Sequence, residues 1–486
     1  MSISGVSLVG KKVYIVGAGP GDPGLLTRRA WELVQRAEVI VYDRLVGEGI
    51  VALFPEGAEC IYVGKEPGNH PVPQEEIHEI LRARAEEGKM VVRLKGGDPF
   101  IFGRGGEEAL FLVREGFEVE VVPGVSSALA VPALAGIPLT HRGVSSSFLV
   151  VSGNDFSILP WETMASFSGT LVVLMGARNL SSIVEKLLAM GVRKDLPVAL
   201  VMEGSTARQR TLVGTLSNIA VKAQEAGFAN PLIFVAGEVV NLHQTLTFLE
   251  HRPLFGRRLL FTGTTMESFS FPVLAELGVE VLHYPTVRIE LCPEALEEAW
   301  KALPGCQILL LSSKNAVAAF REMARRFRLD LRHLAGLKIA VVGKKTAQEL
   351  ASMGLFPDYC PSSFTVRHLL ALFPKGKGER VLLLTSQIGG EEALQGFTEK
   401  GYVVQKVSVY RNVPNLGVRE GIRSALENGV DAVVFTSPSS FHSLEACLGG
   451  NLEMLARTLL VSIGPTTARF IAQRGLQSVS FPEEHT

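Results

Sequence analysis

Short apolar runs alternate with helical patterns along the whole chain, and this alternation constrains the fold more than any other feature. The runs at 13–16, 39–42, 91–94 and 119–122 are typical of strands, and the segments between them have helical periodicity. This pattern predicts an α/β fold. The 486 residues are enough for about three domains of roughly 150 residues each.

The composition argues against several classes of function. The formal net charge of −1 gives no overall attraction to nucleic acid or to an anionic membrane. The five cysteines are scattered without a CxxC pair, and the ten histidines show no metal-binding spacing. We find no apolar run of membrane-spanning length and no secretory signal pattern. We therefore expect a cytoplasmic protein that binds no nucleic acid, membrane or metal.

One apolar run ends in a glycine-rich loop at residues 91–106, VVRLKGGDPFIFGRGG. Gly96 and Gly97 let the backbone approach a ligand where a Cβ atom would clash. Asp98 offers acceptors to hydroxyl or amine groups, and a helix is predicted from Glu107. The Lys-Ser/Thr pair of a phosphate-binding P-loop is missing. Because open α/β sheets bind ligands at the carboxyl ends of strands, the loop predicts a site for a small ligand with polar edges.

Other predicted strands of the first half also end in glycine or polar residues. The loop GAGPGDPG follows the first strand at 17–24, Asp43 and Arg44 follow the second, and Lys65 follows the third. The segment PGVSSA follows another strand at 123–128. Polar residues at successive strand ends favour one shared site over several unrelated turns.

The chain is predicted to divide near residue 252. A helical run at 241–250 ends at His251-Arg252-Pro253, and a new strand begins at Arg258. Within the first half, the segment 138–142 is predicted to link two α/β lobes, with a ligand cleft between them.

The second half contains an internal repeat with offsets of 121 to 124 residues. Such close offsets predict two similar α/β lobes, and the period is far too long for a solenoid. Each copy ends its strands with serine or threonine, which suits anionic groups, although helix capping is the more common use of these residues. The paired segments are 261–262 with 384–385, 311–313 with 435–437, and 342–347 with 463–468.

The motifs of the first half resemble the uroporphyrinogen-III C-methyltransferases of the tetrapyrrole methylase family. The resemblance covers about residues 11–250 and implies a two-lobed methylase domain at 1–252, with lobes at about 11–138 and 143–250. It also implies a homodimer formed through this domain, and two methyl transfers from S-adenosylmethionine to uroporphyrinogen III that give precorrin-2. The motifs are GAGPGDP, VYDRLV, VGK, VPQEEI, VVRLKGGDPFIFGRGGEE, VPGVSSA, AGIPLTHR and VALVMEGST.

The same resemblance implies individual site residues. Asp43 and Lys65 match the proposed proton acceptor and donor of the family, although Asp43 with Arg44 could equally form a surface ion pair. The positions that match the S-adenosylmethionine site are Pro20, Gly96, Gly97, Asp98, Ile101, Ser126, Ser127, Met175 and Gly204. Guanidinium groups pair bidentately with carboxylates, so arginines are the candidates for binding the substrate's acidic groups. These candidates are Arg44, Arg104, Arg142 and Arg208.

The second half resembles the uroporphyrinogen-III synthases across about residues 255–486. The clearest segments are IAVVGKKTA, VLLLTS, VSVYRNVP, DAVVFTSPSSF and SIGPTTARFIAQRGL. The resemblance implies a two-lobed α/β domain at 253–486, with crossing strands near 285–289 and 410–414. It implies closure of hydroxymethylbilane without a metal or cofactor. Tyr410 matches a tyrosine at the cleft, where its phenol would assist the leaving hydroxyl; alternatively it is a hinge residue.

We therefore expect a bifunctional enzyme that makes uroporphyrinogen III with its second half and methylates it with its first. Two alternatives stay open. The second half could be a non-catalytic ligand-binding module. The loop at 17–24, with Asp43 at the spacing of a ribose-binding acid, could instead belong to a nicotinamide-dependent dehydrogenase, although Pro20 and Pro23 are awkward for its tight turn.

Overall fold

The computed structural model describes residues 12–64, 72–264, 272–362 and 365–478, which form four β-sheets flanked by helices. Two sheets use strands between residues 12 and 236, and two use strands between residues 258 and 462. The predicted α/β fold class is confirmed. Within the described ranges, every helix is too short or too polar to cross a bilayer.

The first sheet is parallel throughout, and its central strands are buried on both faces. Its strands are β1 (Lys12–Gly17), β2 (Val39–Tyr42), β3 (Glu59–Tyr62), β4 (Val91–Lys95) and β5 (Glu118–Val122). The strand order is β3-β2-β4-β1-β5, and every residue of β4 is buried. Sheets covered on both faces need continuous apolar strands. Its helices are α1 (Arg28–Val34), α2 (Glu48–Val51), α3 (Gln74–Glu86) and α4 (Gly105–Arg114).

The second sheet is mixed. Its strands are β6 (Phe148–Ser152), β7 (Thr170–Leu174), β8 (Pro197–Met202), β9 (Arg210–Thr215) and β10 (Leu232–Ala236). The order is β6-β7-β10-β8-β9; β6 and β7 pair in parallel, and the other neighbours are antiparallel. The helices are α5 (Ser127–Leu134), α6 (Trp161–Ser166), α7 (Leu180–Ala189), α8 (Ile219–Glu225) and α9 (His243–Leu246).

Helix α5 joins the first two sheets. Its N-cap, Ser126, follows β5 of the first sheet. Its residues Ala128 and Val131 pack in one apolar cluster with Val172 and Leu174 of the second sheet. The helix thus holds the carboxyl ends of the first sheet's strands beside the second sheet. It lies before residues 138–142, the segment predicted to link the two lobes. The exact lobe and domain boundaries stay a prediction.

The second half contains the other two sheets. Its strands are β11 (Arg258–Phe261), β12 (Glu280–His283), β13 (Val287–Leu291), β14 (Ile308–Leu311), β15 (Lys338–Val341), β16 (Arg380–Ser386), β17 (Val403–Pro414), β18 (Ala432–Phe435) and β19 (Leu459–Ser462). Its helices are α10 (Pro272–Glu276), α11 (Pro293–Ala302), α12 (Lys314–Arg326), α13 (Lys344–Ala351), α14 (Val366–Ala371), α15 (Glu391–Glu399), α16 (Arg419–Glu427), α17 (Pro438–Cys447) and α18 (Pro465–Ala472).

The internal repeat produces two sheets of the same arrangement. The third sheet has the order β12-β11-β18-β19, and the fourth has β17-β16-β14-β15 with β13 added beside β17. The prediction of two similar lobes is therefore confirmed. Each lobe, however, combines two strands from the first sequence copy with two from the second. Sequence offsets alone do not reveal this exchange of strands. The offsets are the same whether each lobe is built from one copy or from strands of both copies.

Two antiparallel segments connect these lobes. Val287 of β13 pairs with Pro414 of β17, and Leu291 pairs with Tyr410. The earlier part of β17 pairs in parallel with β16. The paired segments, 287–291 and 410–414, overlap the crossing strands expected near 285–289 and 410–414.

Contacts between the two halves of the chain centre on Arg258. This residue is only 4% exposed, its guanidinium contacts the carboxylate of Glu48 in α2, and it lies 3.5 Å from the carboxylate of Glu280. It also donates a 3.1 Å hydrogen bond to the carbonyl of Asn428. Ala52, the C-cap of α2, packs in the apolar cluster of the third sheet. A buried arginine between two carboxylates therefore ties α2 to the second half.

Replacing Arg258 with alanine should destabilise the protein, because Glu48 and Glu280 lose their buried cation. We expect the free energy of unfolding to fall by about 3 kcal/mol, measured by urea denaturation followed by circular dichroism. The control is Arg257→Ala, because Arg257 is 66% exposed and pairs with Asp431. Its loss should stay below about 1 kcal/mol, and equal losses would contradict the assignment.

Candidate functional site

Three glycines meet backbone to backbone at the carboxyl ends of β1, β4 and β5. A Cβ atom placed on Gly124 would lie 2.2 Å from the carbonyl oxygen of Gly97, and one placed on Gly17 would lie 2.5 Å from the Cα atom of Gly124. Gly19 and Gly97 also exchange backbone hydrogen bonds of 3.1 and 2.7 Å. Side chains are excluded from this glycine junction, because the backbones of the three loops pack directly against one another.

Asp98 fastens the glycine junction. Its Oδ2 accepts a 3.1 Å hydrogen bond from the backbone N–H of Gly124, and its Oδ1 accepts one of 2.9 Å from Phe100. Each carboxylate oxygen can accept a further hydrogen bond. In the structure Asp98 therefore holds the loops after β4 and β5 together, in addition to its predicted contact with a ligand.

Exposed apolar side chains lie beside the junction. Phe100, Ile101 and Phe102 are each about half exposed, as is Leu45. A Cβ atom on Gly96 would lie 2.5 Å from the Cβ of Leu45, so the loops after β2 and β4 are in contact. Exposed apolar groups next to polar backbone are typical of a ligand-binding surface.

Loops from the second sheet close the other side of the site. The backbone N–H of Asp22 donates a 2.8 Å hydrogen bond to Ser205 Oγ, and a Cβ atom on Gly204 would lie 2.3 Å from the side chain of Val131 in α5. Ser126 caps α5 by accepting a 3.3 Å hydrogen bond from Ala128. The predicted positions that these contacts bring to one region are Pro20, Gly96, Gly97, Asp98, Ile101, Ser126, Ser127 and Gly204.

Unusual backbone conformations concentrate in the same loops. Of the six non-glycine residues with positive φ in the described part of the chain, five follow β4, β7 or β8. Such conformations are costly and cluster at functional sites. Met175, with φ of 56° and 42% exposure, directly follows Leu174, which packs in the same cluster as α5. The five residues are Phe102, Arg104, Met175, Glu203 and Ser205.

The four predicted carboxylate-binding arginines are exposed on loops or at a helix start. Arg104 lies 2.6 Å from Glu107, and Arg208 lies 2.7 Å from Glu203. Exposed ion pairs contribute little to stability, so these guanidinium groups can exchange partners with an acidic ligand. Arg44 is exposed at the end of β2. Arg142 is exposed in a turn whose ends, His141 and Ser145, form an isolated β-bridge.

A buried ionic cluster lies beneath Asp43. Arg93 donates 3.3 Å hydrogen bonds to Asp43 Oδ2 and to Glu108 Oε1. Lys95 and Gln74 donate to the same Glu108 oxygen at 2.8 and 3.1 Å. Arg93, Lys95 and Glu108 are at most 4% exposed, whereas the Asp43 side chain is 25% exposed. Asp43 therefore faces partly outward while a buried cation holds it from below.

Burial and neighbouring charges shift the titration of this cluster. Burial lowers the pKa of the Lys95 ammonium, and the positive charge of Arg93 acts in the same direction. Burial alone would raise the pKa of the Glu108 carboxyl, but Arg93 and Lys95 together hold it below its ordinary value. This cluster was not among the residues predicted from the sequence. The signal was available, because Arg93 and Lys95 interrupt an apolar strand that buries both faces, and buried cations need partners.

The proposed proton donor, Lys65, lies outside the described residues, so its role stays a prediction. Asp43 itself has a second backbone contact, since its Oδ1 accepts a 3.1 Å hydrogen bond from the N–H of Leu45. The carboxylate is thus oriented by donors on both oxygens.

The loop at 17–24 does not fit the dinucleotide alternative. A short 3₁₀ turn at Pro23–Leu25 follows it, and α1 begins only at Arg28 with Thr27 as its N-cap. In the first sheet, β4 separates β1 from β2, unlike the 3-2-1-4-5 order of dinucleotide-binding folds. A pyrophosphate would lack the adjoining helix N-terminus that binds it in those folds.

In the second half, Tyr410 is buried and hydrogen-bonded. Its hydroxyl lies 2.9 Å from Ser313 Oγ, and the residue is 6% exposed. Ser313 is the N-cap of α12, and Ser437 caps α17 in the matching position of the other lobe. Helix capping is therefore the use of these two hydroxyls. Ser312 donates a 3.0 Å hydrogen bond to Thr385, so hydroxyls of two neighbouring strand ends are also linked.

Both halves of the chain match known families. Residues 12–220 match the family described as Tetrapyrrole (Corrin/Porphyrin) Methylases, and residues 272–486 match the family described as Uroporphyrinogen-III synthase HemD. The porphyrin biosynthesis protein HemD of Ruminiclostridium josui is 37% identical over 484 residues, which cover 96% of this chain and 94% of that protein.

Two further relatives match the first half. The S-adenosyl-L-methionine-dependent uroporphyrinogen III methyltransferase of Methanosarcina barkeri is 53% identical over 240 residues, which cover 48% of this chain and 94% of that protein. A solved structure also matches: the crystal structure of uroporphyrin-III C-methyl transferase from Thermus thermophilus, complexed with S-adenyl homocysteine. The two sequences are 44% identical, the TM-score is 0.42, and the match covers 48% of this chain and 99% of the T. thermophilus chain. The chain therefore belongs to the tetrapyrrole methylases through its first half and to the uroporphyrinogen-III synthases through its second half.

Proposed function

We propose that this bifunctional enzyme of tetrapyrrole biosynthesis carries out two consecutive reactions. The second half closes hydroxymethylbilane to uroporphyrinogen III, and the first half methylates that product twice to give precorrin-2. The observation that carries the methyl transfer is the glycine junction at the ends of β1, β4 and β5, with Asp43 on a loop beside it. The names of the relatives from M. barkeri and R. josui support the two activities.

The glycine junction suits S-adenosylmethionine as the methyl donor. Because Gly17 and Gly124 lack side chains, the loops after β1, β4 and β5 pack together and form the edge at which the donor is proposed to bind. Asp98 retains acceptor capacity for its hydroxyl or amine groups, and Ile101 and Met175 offer exposed apolar surface. When bound, the donor supplies a methyl group already activated on a sulfonium.

The chain's own residues would orient the substrate and remove a proton. The new C–C bond uses an electron pair of the pyrrole, the C–S bond breaks, and the macrocycle is left with a positive charge. The Asp43 carboxylate is proposed to accept the proton whose loss restores neutrality. The arginine candidates for binding the substrate's carboxylates are Arg44, Arg104, Arg142 and Arg208. We also propose a homodimer formed through the first half, and a cytoplasmic location.

The whole proposal is tested by incubating the chain with hydroxymethylbilane and S-adenosylmethionine. We expect a product heavier than uroporphyrinogen III by two CH2 units, because each added methyl group is accompanied by the loss of one proton. Without S-adenosylmethionine, the expected product is uroporphyrinogen III. If uroporphyrinogen I alone forms, hydroxymethylbilane has closed without catalysis, and the second half is the non-catalytic module.

Gly124→Ala should weaken donor binding, because its Cβ atom would collide with the backbone of Gly97 and force the loops apart. We expect the affinity for S-adenosylhomocysteine to fall about tenfold or more, equivalent to ~1.4 kcal/mol, as measured by isothermal titration calorimetry. The control is Gly57→Ala, since a Cβ atom there meets nothing within 4 Å. An unchanged affinity in Gly124→Ala would remove the glycine junction from the donor site.

Tyr410→Phe should slow ring closure, because the phenol held by Ser313 is proposed to assist the departing hydroxide. We expect kcat for uroporphyrinogen III formation to fall about tenfold or more, measured by separating the I and III isomers. The control is Tyr402→Phe: Tyr402 is also 6% exposed and donates a hydrogen bond of 3.1 Å to Pro374, within the fourth sheet's core. Equal effects of both changes would assign Tyr410 a structural role.

A further inference from the structure

We propose that Arg93 is the positioning residue for the proton acceptor Asp43, and that Glu108 with Lys95 holds Arg93 in place. This inference rests on the proposed methyl transfer by the first half. It adds three residues, none of which would touch the substrate, to the machinery of that reaction.

The contacts of Arg93 place it between the core and Asp43. Its guanidinium donates to Asp43 Oδ2 at 3.3 Å, and also to the carbonyl oxygens of Val41 and Leu94 at 3.3 and 3.0 Å. The guanidinium is planar and rigid, so several acceptors fix its orientation. Arg93 is 3% exposed, and therefore approaches Asp43 from the buried side, opposite to the solvent-facing part of the carboxylate.

Glu108 supplies the counter-charge that keeps Arg93 where it is. The Glu108 side chain is fully buried, and its Oε1 accepts from Arg93 at 3.3 Å and from Lys95 at 2.8 Å. Gln74 of α3 donates to the same oxygen. Two basic side chains of β4, Arg93 and Lys95, thus lie against two carboxylates. Glu108 belongs to α4, and Asp43 lies at the end of β2. The lowered pKa of Lys95 is consistent with its enclosure in this cluster.

Packing alone does not explain charged residues here. In the register of the first sheet, Arg93 lies between Ile15 of β1 and Val41 of β2, and both are fully buried apolar residues. Burying a charged group is costly, and apolar replacements of buried ion pairs are often neutral or stabilising. An apolar residue would serve the sheet at position 93 at least as well. An apolar residue could make none of the polar contacts of Arg93, and of these only the contact with Asp43 reaches a partly exposed carboxylate.

A positioned carboxylate matters because proton removal requires a defined distance and angle to the reacting carbon. Arg93 and the backbone N–H of Leu45 each hold one oxygen of Asp43. Without Arg93, the backbone of Asp43 should keep its position, but its carboxylate should be free to rotate. The expected consequence is a slower chemical step with nearly unchanged binding of either substrate.

The test is a double-mutant cycle on the full chain. Arg93→Met alone would leave two carboxylates, Asp43 and Glu108, with Lys95 as the one cation of the cluster, so we pair it with Glu108→Gln, which removes one positive and one negative charge. We expect kcat for methyl transfer to fall about 30-fold, with the KM for uroporphyrinogen III and the affinity for S-adenosylhomocysteine unchanged within about threefold. In an Asp43→Asn background, the same pair of changes should lower kcat by less than about threefold.

The matched control is Arg82→Met with Glu86→Gln, an exposed ion pair of 2.9 Å on α3, which should leave kcat unchanged. An unchanged kcat in the Arg93→Met, Glu108→Gln variant would overturn the inference. So would an equally large loss in the Asp43→Asn background, because Arg93 would then act independently of Asp43.

If the paired variant does not fold, Arg93→Lys enters the same cycle, since it keeps the charge and loses the planar fork. A loss of kcat that disappears in the Asp43→Asn background again supports the inference, and a loss that persists overturns it. These outcomes are separate from failure of the proposed function, which would appear as no methyl transfer by the unaltered chain.

Discussion

The direct backbone contact between Gly17, Gly97 and Gly124 is the constraint on which the methyltransferase half depends. A Cβ atom on Gly17 or Gly124 would overlap the backbone of another glycine of this contact, and Gly97 has a φ of 69°, which favours glycine. The contact brings the loops after β1, β4 and β5 to one point at the edge of a parallel sheet. Asp98 joins the loop after β4 to the loop after β5 by accepting a hydrogen bond from the backbone N–H of Gly124. The site is therefore built from backbone, and side chains enter it from the neighbouring loops.

Two other interactions set the larger arrangement. Helix α5 starts at the edge of the first sheet and packs its apolar face on the second sheet, so it determines how the loops of both sheets face each other. Arg258 connects the two halves of the chain, because its guanidinium is buried against Glu48 of α2. Helix α2 follows the Asp43 loop within a few residues. The synthase half thus contacts the element next to the proposed proton acceptor.

The sequence predicted much of this arrangement, but unevenly. The alternation of apolar runs and helical patterns was enough for the fold class, and the repeat was enough for two similar lobes. The exchange of strands between copies was not predictable, because a repeat offset is the same whichever copy supplies the partner strand. Capping by Ser313 and Ser437 was expected, since both directly precede helices. The buried cluster of Arg93, Lys95 and Glu108 was missed.

What the sequence determined by itself is local: glycines where backbone must approach, polar residues at strand ends, and the order of strands and helices. These follow from the residues' own steric and hydrogen-bonding properties, which act over a few positions. Only the tertiary structure decided that Asp43, Arg93 and Glu108 share one ionic cluster, or that Tyr410 lies against Ser313. Those contacts join residues far apart in the chain, and their partners depend on strand order and sheet packing, which no local pattern specifies.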